Sequence, residues 1–260
     1  MNRPHVFARA SAPFVAHNDG SGMKLVMFDM DGTLTDGFSL EENCYVLAIQ
    51  QALGLENVVT DWESYTHTSS SFCLQEIVRV TRGHPPTPAE SAAVQRRMIA
   101  LMDEIHARKG RRTQEIPGAA HCVRALQAAG YAVAIASGDW EATARHKLTS
   151  ARIPFADLPA AFCDCAHART EIMTTALRRA AETYACESFE RIVYVGDGAW
   201  DVRACRDLGW PLVGVGHGAH AHRLRALGTT HVIADYSSLE TVFSAVEQAG
   251  VPAAPARQAI

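Results

Sequence analysis

The sequence predicts an α/β protein whose mainly parallel sheet is interrupted, after its first strand, by an inserted all-α segment. Three observations carry this. Short apolar runs of strand length recur at residues 24–30, 131–137, 191–196, 211–216 and 231–234. Helical patterns separate the last four of these runs. Between residues 36 and 114 the alternation stops, and only helical patterns remain.

Each element follows from local chemistry. Residues 24–30 form an apolar run that ends at aspartates, the length of a buried strand. Helical patterns follow at 41–53, 69–82 and 88–108. The connector Gly83-His84-Pro85-Pro86-Thr87-Pro88 cannot be helical inside, because proline lacks an N–H and clashes with the preceding turn. The chain returns to the sheet near Ile116-Pro117-Gly118. A helix over 119–129 stops at Gly130. The strand Tyr-Ala-Val-Ala-Ile-Ala-Ser then spans 131–137, followed by a helix at 140–150, a very short strand at 160–163 and a helix at 170–184. Strand 191–196, helix 199–208, strand 211–216, helix 220–227, strand 231–234 and helix 236–248 complete the order.

Such alternation implies right-handed crossovers between parallel strands. The expected architecture is a Rossmann-like core with helices on both faces, built from residues 23–36 and 115–248, with a helical cap domain at 37–114. Residues 1–22 carry Arg3 and Arg9 and no acid before Asp19, and are expected to be a disordered extension. Residues 249–260 are expected to be a flexible tail.

Composition narrows the function. The chain has 260 residues, 48% hydrophobic and 20% charged, enough for a sizeable core. A formal net charge of −4 offers no basic field for nucleic acid. No apolar run approaches the roughly 18 residues of a membrane span. The seven cysteines are odd in number and irregularly spaced, so they are expected to be reduced, in a cytoplasmic protein. Cys163-Asp164-Cys165 has no second pair to complete a zinc site.

The polar residues fall where open α/β sheets bind ligands, at the carboxyl ends of strands. The first strand ends in Asp29 and Asp31, the second in Ser137-Gly138-Asp139, and the third in Gly196-Asp197-Gly198 with Asp201 one turn further on. If these ends share one crevice, the carboxylates repel strongly: two unit charges about 4 Å apart cost roughly 4 kcal/mol at an effective dielectric of 20. A hard cation resolves this, and Mg²⁺ suits oxygen ligands. No histidine or thiol shares these ends, which disfavours zinc.

The pattern Asp29-x-Asp31-Gly32-Thr33-x-Thr35 resembles the first motif of the haloacid dehalogenase-like superfamily. A chance occurrence in a chain this long has a probability of roughly 0.3% by ordinary residue usage. Ser137 resembles the second-motif Ser/Thr, and Gly196-Asp197-x-x-x-Asp201 the acidic fourth motif, all in the family's order. The likeness covers about residues 24–235 and is nearest the phosphoglycolate phosphatase and β-phosphoglucomutase-like branch with a helical cap. The third-motif cation is usually lysine. Lys147 is the single lysine between Ser137 and Asp197 and lies too early, in the helix after Ser137, whereas Arg169 sits where the cation should be. Arg178 and Arg179 lie deeper in their helix and read as solvated.

The resemblance implies a phosphatase acting on a small phosphorylated metabolite. Asp29 would be the nucleophile, forming a phospho-aspartate. Asp31 would be the general acid and base. Ser137, Arg169 and the backbone N–H groups of Met30 and Gly138 would hold phosphate. Mg²⁺ would sit on Asp29, Asp197, Asp201 and the backbone carbonyl of Asp31. A monomer or homodimer is expected, with no nucleic-acid or membrane partner.

Other readings stand beside this one. A sugar-phosphate mutase is the first alternative, although those enzymes favour valine where Thr33 stands. Haloacid hydrolases lack the second aspartate, and phosphonate hydrolases need a cap lysine where this insert has only Lys109, near its end. A non-catalytic phosphate-binding relative would be expected to lack Asp29 or Asp31. Ser137 can also cap the helix that follows it, and Asp139 reads as a cap rather than a catalyst. Trp140 and Trp200 read as helix packing, with pocket lining the alternative for Trp140. His217, His220 and His222 lie in a loop entering a helix rather than a metal site. The polar run Tyr65-Thr66-His67-Thr68-Ser69-Ser70-Ser71 is either a substrate-facing loop or an N-cap cluster.

Overall fold

The computed structural model describes residues 22–36 and 38–254, with side chains omitted for 38–42. Most of the expected N-terminal extension and the last residues of the tail lie outside that range. Six strands form one sheet in the order β5-β4-β1-β6-β7-β8, and every pairing in it is parallel. These are β1 (Lys24–Phe28), β4 (Ala132–Ala136), β5 (Ala160–Ala161), β6 (Arg191–Gly196), β7 (Leu212–Val215) and β8 (His231–Ile233). β1 lies between β4 and β6. The chain runs outward from it to β4 and β5, then crosses back to β6, so the strand order reverses beside β1. That switch point is where such sheets leave a crevice.

The strands are buried on both faces, as an all-parallel sheet requires. Alternate residues of β1 serve the two sides. Leu25 and Met27 join a core with Ile172, Met173 and Ala176 of α6 (Arg169–Thr183) and with α7 (Ala199–Leu208). Val26 and Phe28 join a second core with Val123 and Leu126 of α4 (Ala119–Ala128) and Val242 and Val246 of α9 (Leu239–Gln248). The remaining core helices are α5 (Glu141–Ser150) and α8 (Gly218–Ala226).

Between β1 and β4 the chain leaves the sheet to form α1 (Phe38–Leu53), a short 3-10 turn at Trp62–Ser64, α2 (Ser70–Arg82) and α3 (Pro88–Lys109). α1 packs along α3. The Pro-rich connector ends in a capping box at the start of α3: Thr87 Oγ1 accepts from the Glu90 amide at 3.2 Å and the Glu90 carboxylate accepts from the Thr87 amide at 2.8 Å. Pro88 fills the first helical position, where its missing N–H costs nothing.

Two features differ from the sequence expectation. The chain departs and returns through a two-stranded antiparallel ribbon, β2 (Thr35–Asp36) against β3 (Gln114–Glu115), in a stretch that sequence alone reads as strandless. Each strand has two residues, too few for a periodic signal. Residues 249–254, expected as the start of a flexible tail, are irregular but fastened. The Gly250 carbonyl accepts from the Leu212 amide at 3.1 Å, the Ala253 amide donates to the Gly228 carbonyl at 3.1 Å, and Arg206 Nη2 donates to the Ala253 carbonyl at 2.7 Å.

Candidate active site

β1 delivers Asp29 one residue beyond its end. The Asp29 amide still keeps sheet register, donating to the Val195 carbonyl at 2.8 Å. The chain then curls sharply, because the amides of Thr33, Leu34 and Thr35 all donate to the Met30 carbonyl, at 3.2, 2.7 and 2.9 Å. Gly32 takes φ +79°, and a Cβ there would stand 2.2 Å from Asp197 Oδ2, so both the backbone and the space demand glycine. The curl leaves Asp29 and Asp31 lining one cavity of about 130 Å³ together with Ser137, Gly138 and Arg169. Met30 contributes only backbone, since its side chain is wholly buried in the core.

Asp31 is held on both oxygens. Oδ1 accepts from Thr35 Oγ1 at 3.0 Å, and Oδ2 from Lys147 Nζ at 2.5 Å. Lys147 is only 2% exposed and also pairs with Asp139 Oδ2 at 2.8 Å. Asp139 Oδ1 accepts from the Trp140 amide at 2.8 Å, from Thr143 Oγ1 at 2.7 Å and from Ser70 Oγ at 3.1 Å. A buried ammonium survives only with such partners. The network therefore joins the inserted helices, through Ser70, to Asp31.

Arg169, the first residue of α6, donates from Nη1 to Asp29 Oδ1 at 2.9 Å, and its Nε lies 3.5 Å from Asp201 Oδ1. Asp197 follows β6 and accepts from Thr33 Oγ1 at 3.2 Å. Asp201, in the first turn of α7, accepts from the Gly198 amide at 2.9 Å. Carboxylate oxygens of Asp29, Asp197 and Asp201 lie within 4.8 Å of one another.

This crowding shifts the acids. Burial pushes Asp29 up to about 8, with Arg169 opposing and Asp201 and Asp31 adding to the rise. Asp197 rises well above the usual carboxylate range through burial and the charges of Asp29 and Asp201. Burial raises Asp201 too, against Arg169 and the Gly198 amide. For Arg169 burial works against the charge, but Asp29 and Asp201 outweigh it and hold the guanidinium firmly protonated. The three acids fit a hard divalent cation. Every donor is oxygen, and Asp201 Oδ1 is buried without a hydrogen bond. The carboxylate of Asp31 is not among the three, because Lys147 and Thr35 occupy it.

Other sequence readings resolve as follows. Ser137 Oγ accepts from the Asp139 amide at 3.2 Å, closing a local turn rather than capping α5. Asp139 does serve the start of α5, and its second oxygen meets Lys147. Trp140 is buried in the core, whereas Trp200 lines the cavity. The polar run before α2 does not cap it through Ser69; Thr68, Ser69 and Ser70 line the cavity instead. The Ser70 amide donates to the Gly138 carbonyl at 2.7 Å, and a Cβ on Gly138 would stand 2.8 Å from the Thr68 carbonyl. His220 Nε2 lies 3.7 Å from Asp197 Oδ2, but the three nearby histidines join no metal-binding cluster among the described residues. None of the seven cysteines forms a disulfide.

Sequence reasoning missed Lys147 as a site residue. A signal was present: Thr143, Ala144, Lys147 and Leu148 share the buried face of α5, where an unpaired lysine is not tolerated.

The family profile of the haloacid dehalogenase-like hydrolases matches residues 23–209. No curated protein matches the chain in sequence. Among solved structures, a protein from Bacteroides vulgatus assigned as a beta-phosphoglucomutase superposes with a TM-score of 0.62 at 19% identity, over 87% of this chain and 91% of that one. CbbY from Rhodobacter sphaeroides in complex with phosphate gives 0.58 at 20% identity, over 84% and 96%. A mutant of CbbY in complex with xylulose-1,5-bisphosphate gives 0.58 at 19%, over 83% and 96%. At these identities the structures attest a shared fold, and the profile match extends through the Asp29, Ser137, Arg169 and Asp197 segments: the chain belongs to the haloacid dehalogenase-like hydrolase family.

Proposed function

We propose that this chain is a Mg²⁺-dependent phosphatase that hydrolyses a small phosphorylated metabolite through a phospho-aspartate at Asp29. The observation that carries the reading is the meeting of Asp29, Asp31, Ser137, Gly138 and Arg169 on one small cavity, beside the acids Asp197 and Asp201. The structures of CbbY with phosphate and with a phosphorylated sugar support a phosphorylated ligand on this fold.

The geometry supports the following chemistry. An Asp29 oxygen attacks phosphorus, and the ester oxygen leaves with a proton from Asp31. Water then gives a proton to Asp31 and attacks the phosphoryl group, which releases phosphate and restores Asp29. Mg²⁺ on Asp29, Asp197, Asp201 and the Asp31 backbone carbonyl would supply the positive charge that keeps Asp29 ionised near neutral pH. Ser137, the Gly138 amide and Arg169 hold the phosphate oxygens. Lys147 and Thr35 keep the Asp31 carboxylate from rotating away from the leaving group. Residues 37–114 act as a cap over the core at 23–36 and 115–248, because Thr68, Ser69 and Ser70 line the same cavity as Asp29.

The test is phosphate release from a panel of phosphorylated metabolites, with Mg²⁺ and with EDTA, for the wild type and for Asp29→Asn. Release is expected only from the wild type with Mg²⁺. Turnover by a folded Asp29→Asn variant, or equal rates in EDTA, would overturn the assignment. Isomer formation without phosphate release would make the protein a mutase.

A further inference from the structure

The cavity at Asp29 has two walls of unlike chemistry. Among the described residues the core wall carries the cavity's charged side chains: Asp29, Asp31, Asp139, Lys147 and Arg169. The wall from the inserted helices presents Tyr45, Trp62, Cys73 and Met98, edged by the Thr68, Ser69 and Ser70 hydroxyls. Among the described residues no lysine, arginine or histidine lines this second wall, and residues 37–42 contain none. Both core cations are committed, Lys147 to Asp31 and Asp139, and Arg169 to Asp29 and Asp201.

The apolar wall is also fastened by its own contacts. Tyr45 donates its hydroxyl to the Ser70 carbonyl at 2.8 Å. Its ring stacks on Trp140 and meets Trp62 edge-on, each with centroids 5.6 Å apart. These contacts brace the ring where it faces the cavity. Two residues that line the cavity, Ser69 and Trp200, each hold a buried polar atom without a protein partner, Ser69 Oγ and Trp200 Nε1. A neutral hydroxyl or carbonyl would satisfy them, since Trp200 Nε1 donates and Ser69 Oγ does either.

Resting on the phosphatase reading above, we propose that the substrate is a phosphate monoester whose organic part is small and uncharged, with an apolar or flat face toward Tyr45, Trp62 and Met98 and a hydroxyl or carbonyl toward Ser69 and Trp200. A second phosphate or a carboxylate would be buried against this wall with no counter-charge, which is strongly unfavourable. The room is small, about 130 Å³ against the ~150 Å³ of a cavity that holds one benzene, which favours a compact organic part over a nucleotide. The same wall separates phosphatase from mutase: an Asp29 phosphoenzyme isomerising a sugar phosphate must hold two phosphoryl groups at its halfway point.

The experiment has two readouts. With Mg²⁺, the wild type is assayed on phenyl phosphate and dihydroxyacetone phosphate against phosphoglycolate, fructose 1,6-bisphosphate and AMP. In parallel, calorimetry measures binding of the same esters to Asp29→Asn, which binds without turning over. Phenyl phosphate and dihydroxyacetone phosphate, whose organic parts are uncharged, are expected to lead in kcat/KM and in affinity by about tenfold or more, the factor that about 1.4 kcal/mol supplies. Thr68→Lys, which adds a cation at the half-buried rim of the insert wall, is expected to shrink the deficit of phosphoglycolate by a similar factor. Preference for phosphoglycolate or the bisphosphate refutes the substrate class and leaves the phosphatase intact. Absence of turnover with the neutral preference kept in binding refutes the phosphatase and leaves the ligand class. Binding of no ester refutes both.

Discussion

Removing the divalent cation should make this protein's stability fall with rising pH, and restoring it should cancel the fall. The reasoning starts from Asp29, whose carboxyl is pushed from its ordinary 3.8 up to about 8 by burial. A group whose folded pKa is raised binds more protons folded than unfolded between those two values. Its contribution is therefore full below about pH 4 and is lost as pH rises through about 8. The gap of about four units, at 1.36 kcal/mol each, sets a contribution on the order of 5 kcal/mol for Asp29 alone. Asp197 and Asp201 are raised too and act in the same direction. At roughly 2–4 °C per kcal/mol for a chain of this size, metal-free protein should melt on the order of 10 °C lower at about pH 8 than at about pH 5. Other groups titrate across this range, so Asp29→Asn is the control: asparagine cannot ionise, and its melting temperature should vary less with pH. Mg²⁺ competes with protons for the same oxygens, so its stabilising shift should be larger at the higher pH. Thermal melts of wild type and Asp29→Asn, in EDTA and in Mg²⁺, decide the matter. The reasoning fails if the metal-free wild type grows more stable toward pH 8 relative to Asp29→Asn, or if Mg²⁺ stabilises it equally at both pH values.

Three further outcomes are expected. Lys147→Met should lower stability by about 3–5 kcal/mol, because it strands Asp31 and Asp139 without their shared cation; denaturant unfolding reads this, and kcat should fall while KM moves little. Arg169→Met should reduce kcat by about 10²–10³-fold through loss of the charge beside Asp29, measured by phosphate release, whereas a loss under tenfold would point to another cation. Gly32→Ala forces a Cβ to 2.2 Å from Asp197 Oδ2 at φ +79°, so Mg²⁺ affinity should drop together with about 1–3 kcal/mol of stability; titration of activity against Mg²⁺ concentration and a melt report the two effects.

The parts of this fold that could be read from the chain are those with a local cause. Strand β6 and helix α7 match their expected bounds to the residue, because an unbroken apolar run meets Gly196 and the next helix starts after Gly198. The insert was visible because three helical patterns follow one another without a strand. The two-residue ribbon of β2 and β3 was not, because its pairing depends on residues brought together across the whole insert. The same division runs through the site. Asp29, Asp31, Asp197 and Asp201 announce themselves together: one acid at a strand end or helix start can be a turn or a cap, but several at the ends of adjacent strands converge on one crevice.

Lys147 is the instructive miss. Judged by position along the chain it lies too early for the phosphate-binding cation, and Arg169 is indeed the residue beside Asp29. Judged by helix periodicity it could not be a surface lysine, because Thr143, Ala144 and Leu148 place it on the buried face of α5. A lysine there must find carboxylates, and Asp139 lies eight residues earlier on the preceding turn, too close in sequence to be chance and too far for a helix pair. What sequence could not supply was the second partner, Asp31, which arrives from β1 across the sheet, or Ser70, which arrives from the insert. Asp31 is thus held by a residue with no place in the motif that announced it, and among the described residues the inserted helices reach that acid through this chain of partners.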